Sequence, residues 1–214
     1  MSRKTYTTLL NILLPLRCID CGRYDALLCP HCLASIRIRP DPVVQKPTQY
    51  LDFCIVSTTY QNPTIKAAIR AYKYAGCKDL AQPLSQLMLH ALKRYTADEV
   101  YTIIAVPLHK RKEKIRGYNQ SMLLAERIAI EHDMPHDAHL KRIRFTPSQS
   151  KLNRVERLKN IENSFRYHGR RSPEHILLID DIATTFSTLD VAAHVLKKHG
   201  ARRVGALVLA RNTP

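Results

Sequence analysis

From residue 50 onwards, the apolar positions of the chain alternate between two spacings. Short apolar runs rich in β-branched residues predict strands, at residues 53–56, 100–106, 176–179 and 204–209. Apolar residues spaced three and four positions apart predict helices, at residues 64–74, 80–94, 119–132 and 189–199. Because parallel sheets need such helical crossovers, the pattern predicts an α/β fold with a parallel sheet flanked by helices.

The N-terminal part of the chain has a different organisation. A proline-rich stretch at residues 39–47 predicts a linker between a small module at residues 1–40 and an α/β domain at residues 50–214. The apolar run at residues 9–14 is too short for a secretory signal and predicts a short amphipathic helix. No stretch approaches the roughly 20 apolar residues of a membrane-spanning helix. We therefore expect a cytoplasmic protein without a membrane span.

Four of the six cysteines form two C-x-x-C pairs within a short window: Cys18, Cys21, Cys29 and Cys32. Each pair can direct two thiolates at one ion, and two pairs complete a closed tetrahedral zinc site. Gly22 suits the left-handed turn that often follows such a pair. The alternatives are a redox-active dithiol and structural disulfides, which a cytosolic chain makes less expected. The pattern therefore predicts a structural zinc ion in the N-terminal module.

The net charge of the chain indicates the class of partner that it attracts. Its 34 lysines and arginines exceed its 18 acidic residues by 16, while 45% hydrophobic and 24% charged residues are ordinary for a globular protein. This composition argues against wholesale disorder and against a membrane protein. The net charge predicts attraction to polyanions, whether nucleic acid, anionic lipid or phosphorylated small molecules.

The strongest chemical signal follows the apolar strand at residues 176–179. Asp180 and Asp181 are followed by a loop rich in hydroxyl groups, which contains Thr184, Thr185, Ser187 and Thr188. Paired carboxylates at the carboxyl end of a strand can accept hydrogen bonds from two sugar hydroxyls, and the loop can hold a phosphate at the next helix. The alternatives are a helix cap at Ser187 or Thr188 and a phospho-acceptor pocket. The combination favours a ribose 5-phosphate site.

This loop resembles the phosphoribosyl-diphosphate binding loop of type I phosphoribosyltransferases. Further motifs extend the resemblance over nearly the whole chain: a Leu-Leu-Pro stretch before the cysteine pairs, Tyr72-Lys73-Tyr74, Val106-Pro107-Leu108, Arg116-Gly117-Tyr118-Asn119-Gln120, and Gln149 with Leu152, Arg154, Arg157, Asn160 and Phe165. Their combination is similar to the ComF competence family, which includes the GntX-type proteins.

The resemblance implies a type I phosphoribosyltransferase-like domain that carries a zinc module. It assigns the ribose hydroxyls to Asp180 and Asp181, and the 5-phosphate to Thr184, Thr185, Ser187 and Thr188. Diphosphate would contact backbone amides of the loop formed by Val106, Pro107 and Leu108, with magnesium accompanying phosphoribosyl diphosphate. The implied cellular role is uptake of single-stranded DNA in natural transformation, with a competence helicase as a candidate partner. The alternative is an active phosphoribosyltransferase that transfers ribose 5-phosphate to an unidentified acceptor.

One position departs from the family pattern. Phe186 stands where such loops usually have glycine, and a non-glycine residue in a left-handed conformation costs roughly 1 to 2 kcal/mol. Either the loop takes another path or its phosphate binding is weaker than in relatives.

Two basic segments are candidates for a nucleic-acid surface. The first is a predicted basic loop that directly follows the diphosphate loop and contains Lys110, Arg111, Lys112, Lys114 and Arg116. It could be a solvated surface loop, could stabilise a diphosphate leaving group, or could hold a DNA backbone. The second is residues 141–171, with ten basic and two acidic residues, whose polarity predicts little core. Within this second segment, Arg154 and Arg157 could instead brace the core.

A short motif follows the basic loop: Gly117, Tyr118, Asn119 and Gln120. Asn119 is expected to cap the next helix. Tyr118 is expected either to pack in the core or to serve as a stacking platform for a base.

Overall fold

A six-stranded sheet forms the centre of the protein, in a computed structural model that describes residues 16–24, 26–95, 100–145 and 163–212. The expected helix at residues 9–14 and the motif positions from Gln149 to Asn160 lie outside these residues. The strands in the described residues are β1 Val43–Gln45, β2 Phe53–Thr59, β3 Thr102–Ala105, β4 His136–Asp137, β5 Leu140–Arg142, β6 Phe165–Tyr167, β7 His175–Ala183 and β8 Arg203–Arg211.

The main sheet has the order β1-β2-β8-β7-β3-β4, and β5 pairs with β6 in a separate two-stranded ribbon. All neighbours from β2 to β4 are parallel, whereas β1 is antiparallel to β2. The α-helices in the described residues are α1 Pro30–Ser35, α2 Pro63–Tyr74, α3 Ala81–Lys93, α4 Lys110–Arg116, α5 Gln120–Glu131 and α6 Ser187–Lys198. The predicted α/β fold with a largely parallel sheet is therefore confirmed.

Helices cover both faces of this sheet. On one face, α2, α3 and α5 contribute buried apolar residues to a cluster that also holds the N-terminal cysteine module. On the other face, α6 and the β5–β6 ribbon pack against the sheet. At Gly205 in β8, a Cβ atom would overlap the ring of Phe53, so the close approach of ring and strand requires glycine.

Three segments differ from the sequence-based expectation. The predicted linker contains β1, because Val43 and Val44 continue the sheet at the edge of β2. Residues 110–116 form helix α4 rather than a loop. The segment at residues 141–171 does contribute core, because Phe165 and Tyr167 alternate inward on β6 and are buried beside α6.

The connections of the parallel strands create one crevice. Chain direction carries β7 through α6 to its neighbour β8, whereas β3 leads through α5 to β4 on the opposite side. In open α/β sheets, ligands bind at the carboxyl ends of strands where the direction of winding reverses. This switch point lies between β3 and β7. Ala105, the last residue of β3, pairs with Ile179, so β7 continues beyond β3 from Asp180 onwards.

Candidate functional site

Two adjacent carboxylates lie at the switch point between β3 and β7. Asp180 and Asp181 belong to β7 itself, which extends to Ala183, rather than to a loop after the strand. Asp180 is partly buried and accepts hydrogen bonds on Oδ1 from the Ser121 hydroxyl at 2.8 Å and from the Asp181 amide at 2.9 Å. Asp181 is a buried residue, of which 6% is exposed. The predicted sugar-binding residues therefore lie together in the crevice.

The environment of Asp180 favours its neutral form. Burial raises the pKa of Asp180 most, and the nearby charge of Asp181 raises it further, against the hydrogen bond from Ser121 and the charge of Lys73. The resulting pKa is about 7. Asp180 therefore titrates near neutral pH, and carboxylates with pKa values raised in this way cluster at functional sites.

Asp181 forms an ion pair with a lysine of helix α2. The Nζ of Lys73 lies 2.8 Å from Oδ2 of Asp181, and both side chains are largely removed from solvent. Lys73 belongs to the Tyr72-Lys73-Tyr74 motif, from which no role for the lysine could be predicted. The feature that indicates a role is the position of the lysine directly after buried Tyr72 on an amphipathic helix, because this position places a cation at the margin of the core.

The loop between β7 and α6 turns through a left-handed residue. Phe186 has φ 59° and ψ 3°, and precedes the first residue of α6 without a side-chain cap. Its carbonyl accepts a hydrogen bond from the Asp190 amide at 2.9 Å, so the helical bonds begin there. The expectation of a cap at Ser187 or Thr188 is therefore wrong, because both lie inside the first turn of the helix.

The hydroxyl groups of this loop differ in their exposure. Thr184 is exposed, whereas Thr185 and Thr188 are partly buried and Ser187 is buried. The hydroxyl oxygens of Thr185 and Ser187 lie 2.8 Å apart in a hydrogen bond. The loop thus brings hydroxyls and the first amides of a twelve-residue helix to the carboxyl end of β7, a place suited to an anion.

Phe186 keeps the left-handed path that glycine usually allows. Its side chain is 5% exposed and belongs to the apolar cluster on the α6 face. The Cζ of Arg211 lies 4.7 Å from the ring centroid, a cation–π contact. Burial of the ring and this contact offset the strain of the left-handed conformation. Phe186 thus takes the left-handed conformation itself, and its effect on phosphate binding stays a prediction.

The neighbouring loop after β3 offers fewer amides than expected. The amide of Val106 donates to the carbonyl of Ile179 at 2.9 Å, which extends the sheet. Pro107 has no amide hydrogen. Of the three predicted residues, Leu108 is the one with an amide that can face the crevice. The carbonyl of Val106 accepts from Asn119 Nδ2 at 3.3 Å, so this loop is fastened to α5.

The basic segment after this loop is helix α4. His109 caps its start, since its Nδ1 accepts from the Arg111 amide at 3.2 Å. Gly117 ends it with φ 80°, which only glycine adopts readily. These two end signals explain why a run of like charges is helical rather than a loop. The helix carries all five predicted basic residues: Lys110, Arg111, Lys112, Lys114 and Arg116.

Part of this helix faces the carboxylate crevice. Burial lowers the pKa of Lys112, and the charges of Arg142, Arg116 and Lys73 lower it further. Burial also lowers the pKa of Arg142, whereas the charge of Asp180 raises it. Lys73 and Arg142 thus interact with the carboxylate pair, and Lys112 is repelled by both of them and by Arg116. Arg142 joins the site from β5. A negatively charged ligand would relieve their repulsion.

The motif after helix α4 is part of the framework of the site. Asn119 caps α5 as predicted, because its side chain accepts from the Ser121 amide at 3.1 Å. Tyr118 is 7% exposed and its hydroxyl donates to the Tyr72 carbonyl, so it packs in the core. Gln120 is buried and accepts from Arg116 at 2.9 Å. These contacts hold Ser121 beside Asp180.

The four cysteines of the N-terminal module converge on one point. Their Sγ atoms all lie within 4.8 Å of one another, and those of Cys21 and Cys29 are 3.6 Å apart. A tetrahedral ion with sulfur ligands at about 2.3 Å separates its ligands by about 3.8 Å, so the cluster fits a metal ion. Gly22 has φ 73°, as the knuckle predicted. None of the four cysteines forms a disulfide in this structure.

Hydrogen bonds lower the pKa of one of these thiols, that of Cys18. Burial alone would raise the pKa of Cys18, but hydrogen bonds from the backbone amides of Cys29, Cys21 and Asp20 outweigh it. The pKa of Cys18 is held at about 6. The thiolate is the form that binds metal, so this geometry favours a ligand at neutral pH.

Comparison with known proteins agrees with these motifs. No protein-family model matches the chain. The DNA utilization protein YhgH of Escherichia coli is 29% identical over 202 residues, which cover 91% of this chain and 88% of that protein. Competence protein F of Haemophilus influenzae is 27% identical over 205 residues, which cover 91% of this chain and 84% of that protein. The chain is therefore similar, over nearly its whole length, to proteins named for DNA utilization and for competence.

Two further similarities cover less of the chain. Competence protein ComFC of Bacillus subtilis is 29% identical over 152 residues, 71% of this chain and 61% of that protein. A purine phosphoribosyltransferase from Pyrococcus horikoshii, known as a crystal structure, covers 74% of this chain and 77% of its own, with 17% identity and a TM-score of 0.33. At this TM-score, the likeness to the purine phosphoribosyltransferase supports no conclusion about the chain. Among the described residues, no helix is long and apolar enough to cross a membrane.

Proposed function

We propose that this protein binds phosphoribosyl diphosphate and single-stranded DNA in the cytoplasm, and acts in DNA uptake during natural transformation. The observation that carries the proposal is the carboxylate pair at the switch point, surrounded by cations. Asp180 and Asp181 suit neighbouring ribose hydroxyls, while Lys73, Lys112 and Arg142 suit the phosphates of the same ligand. A competence helicase is the proposed motor partner for the bound DNA.

Two metal ions belong to this proposal. The four-cysteine cluster holds a structural zinc ion, since its thiolates and spacing match that metal. Magnesium accompanies phosphoribosyl diphosphate, because the oxygens of the diphosphate are hard ligands that it prefers. Magnesium would neutralise part of the charge of the diphosphate at the crevice.

Titration calorimetry with phosphoribosyl diphosphate and magnesium tests the first half of the proposal. Binding is expected for the unaltered protein and for Asp133→Asn, a matched change at an exposed position away from the crevice. The double variant Asp180→Asn with Asp181→Asn should lose binding, because a neutral amide oxygen accepts a hydrogen bond from a sugar hydroxyl more weakly than a carboxylate does. Absence of binding to the unaltered protein would reject the sugar-phosphate site.

The salt dependence of single-stranded DNA binding tests the second half. Changing the five basic residues of α4 to glutamine should lower the affinity and reduce the slope of log K against log salt, by up to about 3.5. The control changes five exposed basic residues that lie outside both α4 and residues 141–171: Lys93, Arg94, Arg127, Lys198 and Arg202. Equal losses in both variants would show attraction by net charge alone, without a DNA surface at α4.

A second candidate function is catalysis of phosphoribosyl transfer. The crowding of Lys112 with Arg142 beside Asp180 favours it, since cations there can stabilise the charge that develops on a diphosphate leaving group. Release of diphosphate from phosphoribosyl diphosphate, measured against the double asparagine variant, tests this candidate. Equal rates for the two proteins would exclude it.

A further inference from the structure

Two exposed aromatic rings flank helix α4, and neither of them packs in the core. Tyr74, the last residue of α2, is 73% exposed, and Phe145 is 40% exposed. Large aromatic side chains are usually buried because their transfer from water is favourable. Ile115 on α4 is 78% exposed as well. Exposed apolar surface thus gathers around the most basic helix of the described chain.

Each ring is held against a cation of α4. The Cζ of Arg116 lies 5.3 Å from the ring centroid of Tyr74. On the other side, the Cζ of Arg111 and the Nζ of Lys112 lie 5.2 Å and 5.7 Å from the centroid of Phe145. The ring of His109 meets Phe145 edge-on at 5.4 Å. Cations above the rings fix the orientation of the aromatic faces.

This combination of groups fits a ligand that is both polyanionic and aromatic. Phosphates can pair with the cations of α4, and flat bases can stack on the ring faces that the cations leave open. A duplex presents its bases stacked within the helix, so it cannot use such rings, whereas a single strand can.

We propose that Tyr74 and Phe145 are stacking platforms for two bases of single-stranded DNA whose backbone crosses α4. This proposal rests on the proposed DNA binding and assigns the base contacts within it. Arg111 and Arg116, which hold the two rings, are five residues apart on the helix, about 7.5 Å along its axis and about 140° around it. The rings therefore lie on different sides of α4, and the strand must cross the helix. Bases separated by a few nucleotides can therefore reach both rings. Tyr118, the platform considered from sequence, is buried and takes no part.

The test compares two oligonucleotides of equal length by fluorescence anisotropy, an oligothymidylate and its abasic counterpart. Tyr74→Ala and Phe145→Ala are each expected to weaken oligothymidylate binding at least about fivefold. Neither should weaken binding of the abasic strand. The slope of log K against log salt should stay unchanged, because the phosphate contacts remain. Tyr74→Phe should retain the affinity of the unaltered protein, since it retains the ring.

Tyr24→Ala provides the matched control. Tyr24 is 48% exposed and has Arg17 above its ring at 4.7 Å, but it belongs to the cysteine module rather than to the surface at α4. Its removal should leave the affinity unchanged. Equal affinity of the unaltered protein for both strands, or equal losses in all three alanine variants, would overturn the stacking proposal. Failure of the unaltered protein to bind any single strand would instead reject the proposed DNA binding.

Discussion

The ammonium group of Lys73 lies 2.8 Å from the carboxylate of Asp181, and this ion pair joins helix α2 to strand β7. One of the two proposed ribose ligands therefore already has a charged partner. A ligand that uses the Asp181 carboxylate must share it with Lys73 or release the lysine. In either case the ammonium remains at the crevice, where it can contact a phosphate of the same ligand.

Removal of the lysine should destabilise the protein, because it leaves Asp181 buried without its partner. We expect Lys73→Met to lower the free energy of unfolding by about 3 kcal/mol. Lys66→Met provides the control, since Lys66 is exposed on the same helix and the substitution is identical. Urea denaturation of both variants at pH 7 measures the difference. A loss no greater than that of Lys66→Met would show that the ion pair contributes little.

The cysteine module should depend on its metal for folding. We expect Cys32→Ser to reduce bound zinc from one ion per chain and to loosen the module, because in a small unit the metal affinity is folding free energy. Cys77→Ser serves as control, since Cys77 lies outside the cluster. Metal analysis of the purified proteins checks the ratio. Full zinc content in Cys32→Ser would remove that residue from the ligand set.

Local patterns were sufficient to predict the fold and the order of the site along the chain. The buried strand before Asp180, the helix cap at Asn119 and the cysteine pairs all have short-range signals. The ion pair of Lys73 could not be predicted, because it joins residues that are 108 positions apart and depends on how α2 packs. Short elements such as β1 were missed because their pairing partner, β2, decides their structure.

Replacement of Phe186 by glycine should destabilise the protein despite the left-handed backbone. Relief of strain returns roughly 1 to 2 kcal/mol, but loss of the buried ring costs about 3 to 5 kcal/mol. We therefore expect Phe186→Gly to lower the free energy of unfolding by about 2 kcal/mol. Lys46→Gly is the control, because Lys46 also has a positive φ, 40°, but its side chain is exposed. That variant should gain up to about 1 kcal/mol, and a gain in both would show that the ring of Phe186 contributes little.

Asp180 should make stability fall as pH rises. Its folded pKa, about 7, exceeds the ordinary value of 3.8, so the native state keeps a proton that the unfolded chain loses. The stabilisation is complete below about pH 4 and is lost as pH rises through 7. Between these values Asp180 contributes a slope of up to about 1.4 kcal/mol per pH unit.

Substitution by asparagine isolates this contribution and separates stability from function. Asp180→Asn keeps an oxygen for the Ser121 hydroxyl and removes the buried charge, so its free energy of unfolding should exceed that of the unaltered protein at pH 8 and match it near pH 4. Asp181→Asn should destabilise instead, because Lys73 loses its partner. Urea denaturation at pH 4, 6 and 8 measures both. If Asp180→Asn becomes more stable at pH 8 but no longer binds phosphoribosyl diphosphate, the protein retains a strained carboxylate because its ligand requires one. A parallel pH dependence in Asp180→Asn and the unaltered protein would assign the titration to another group.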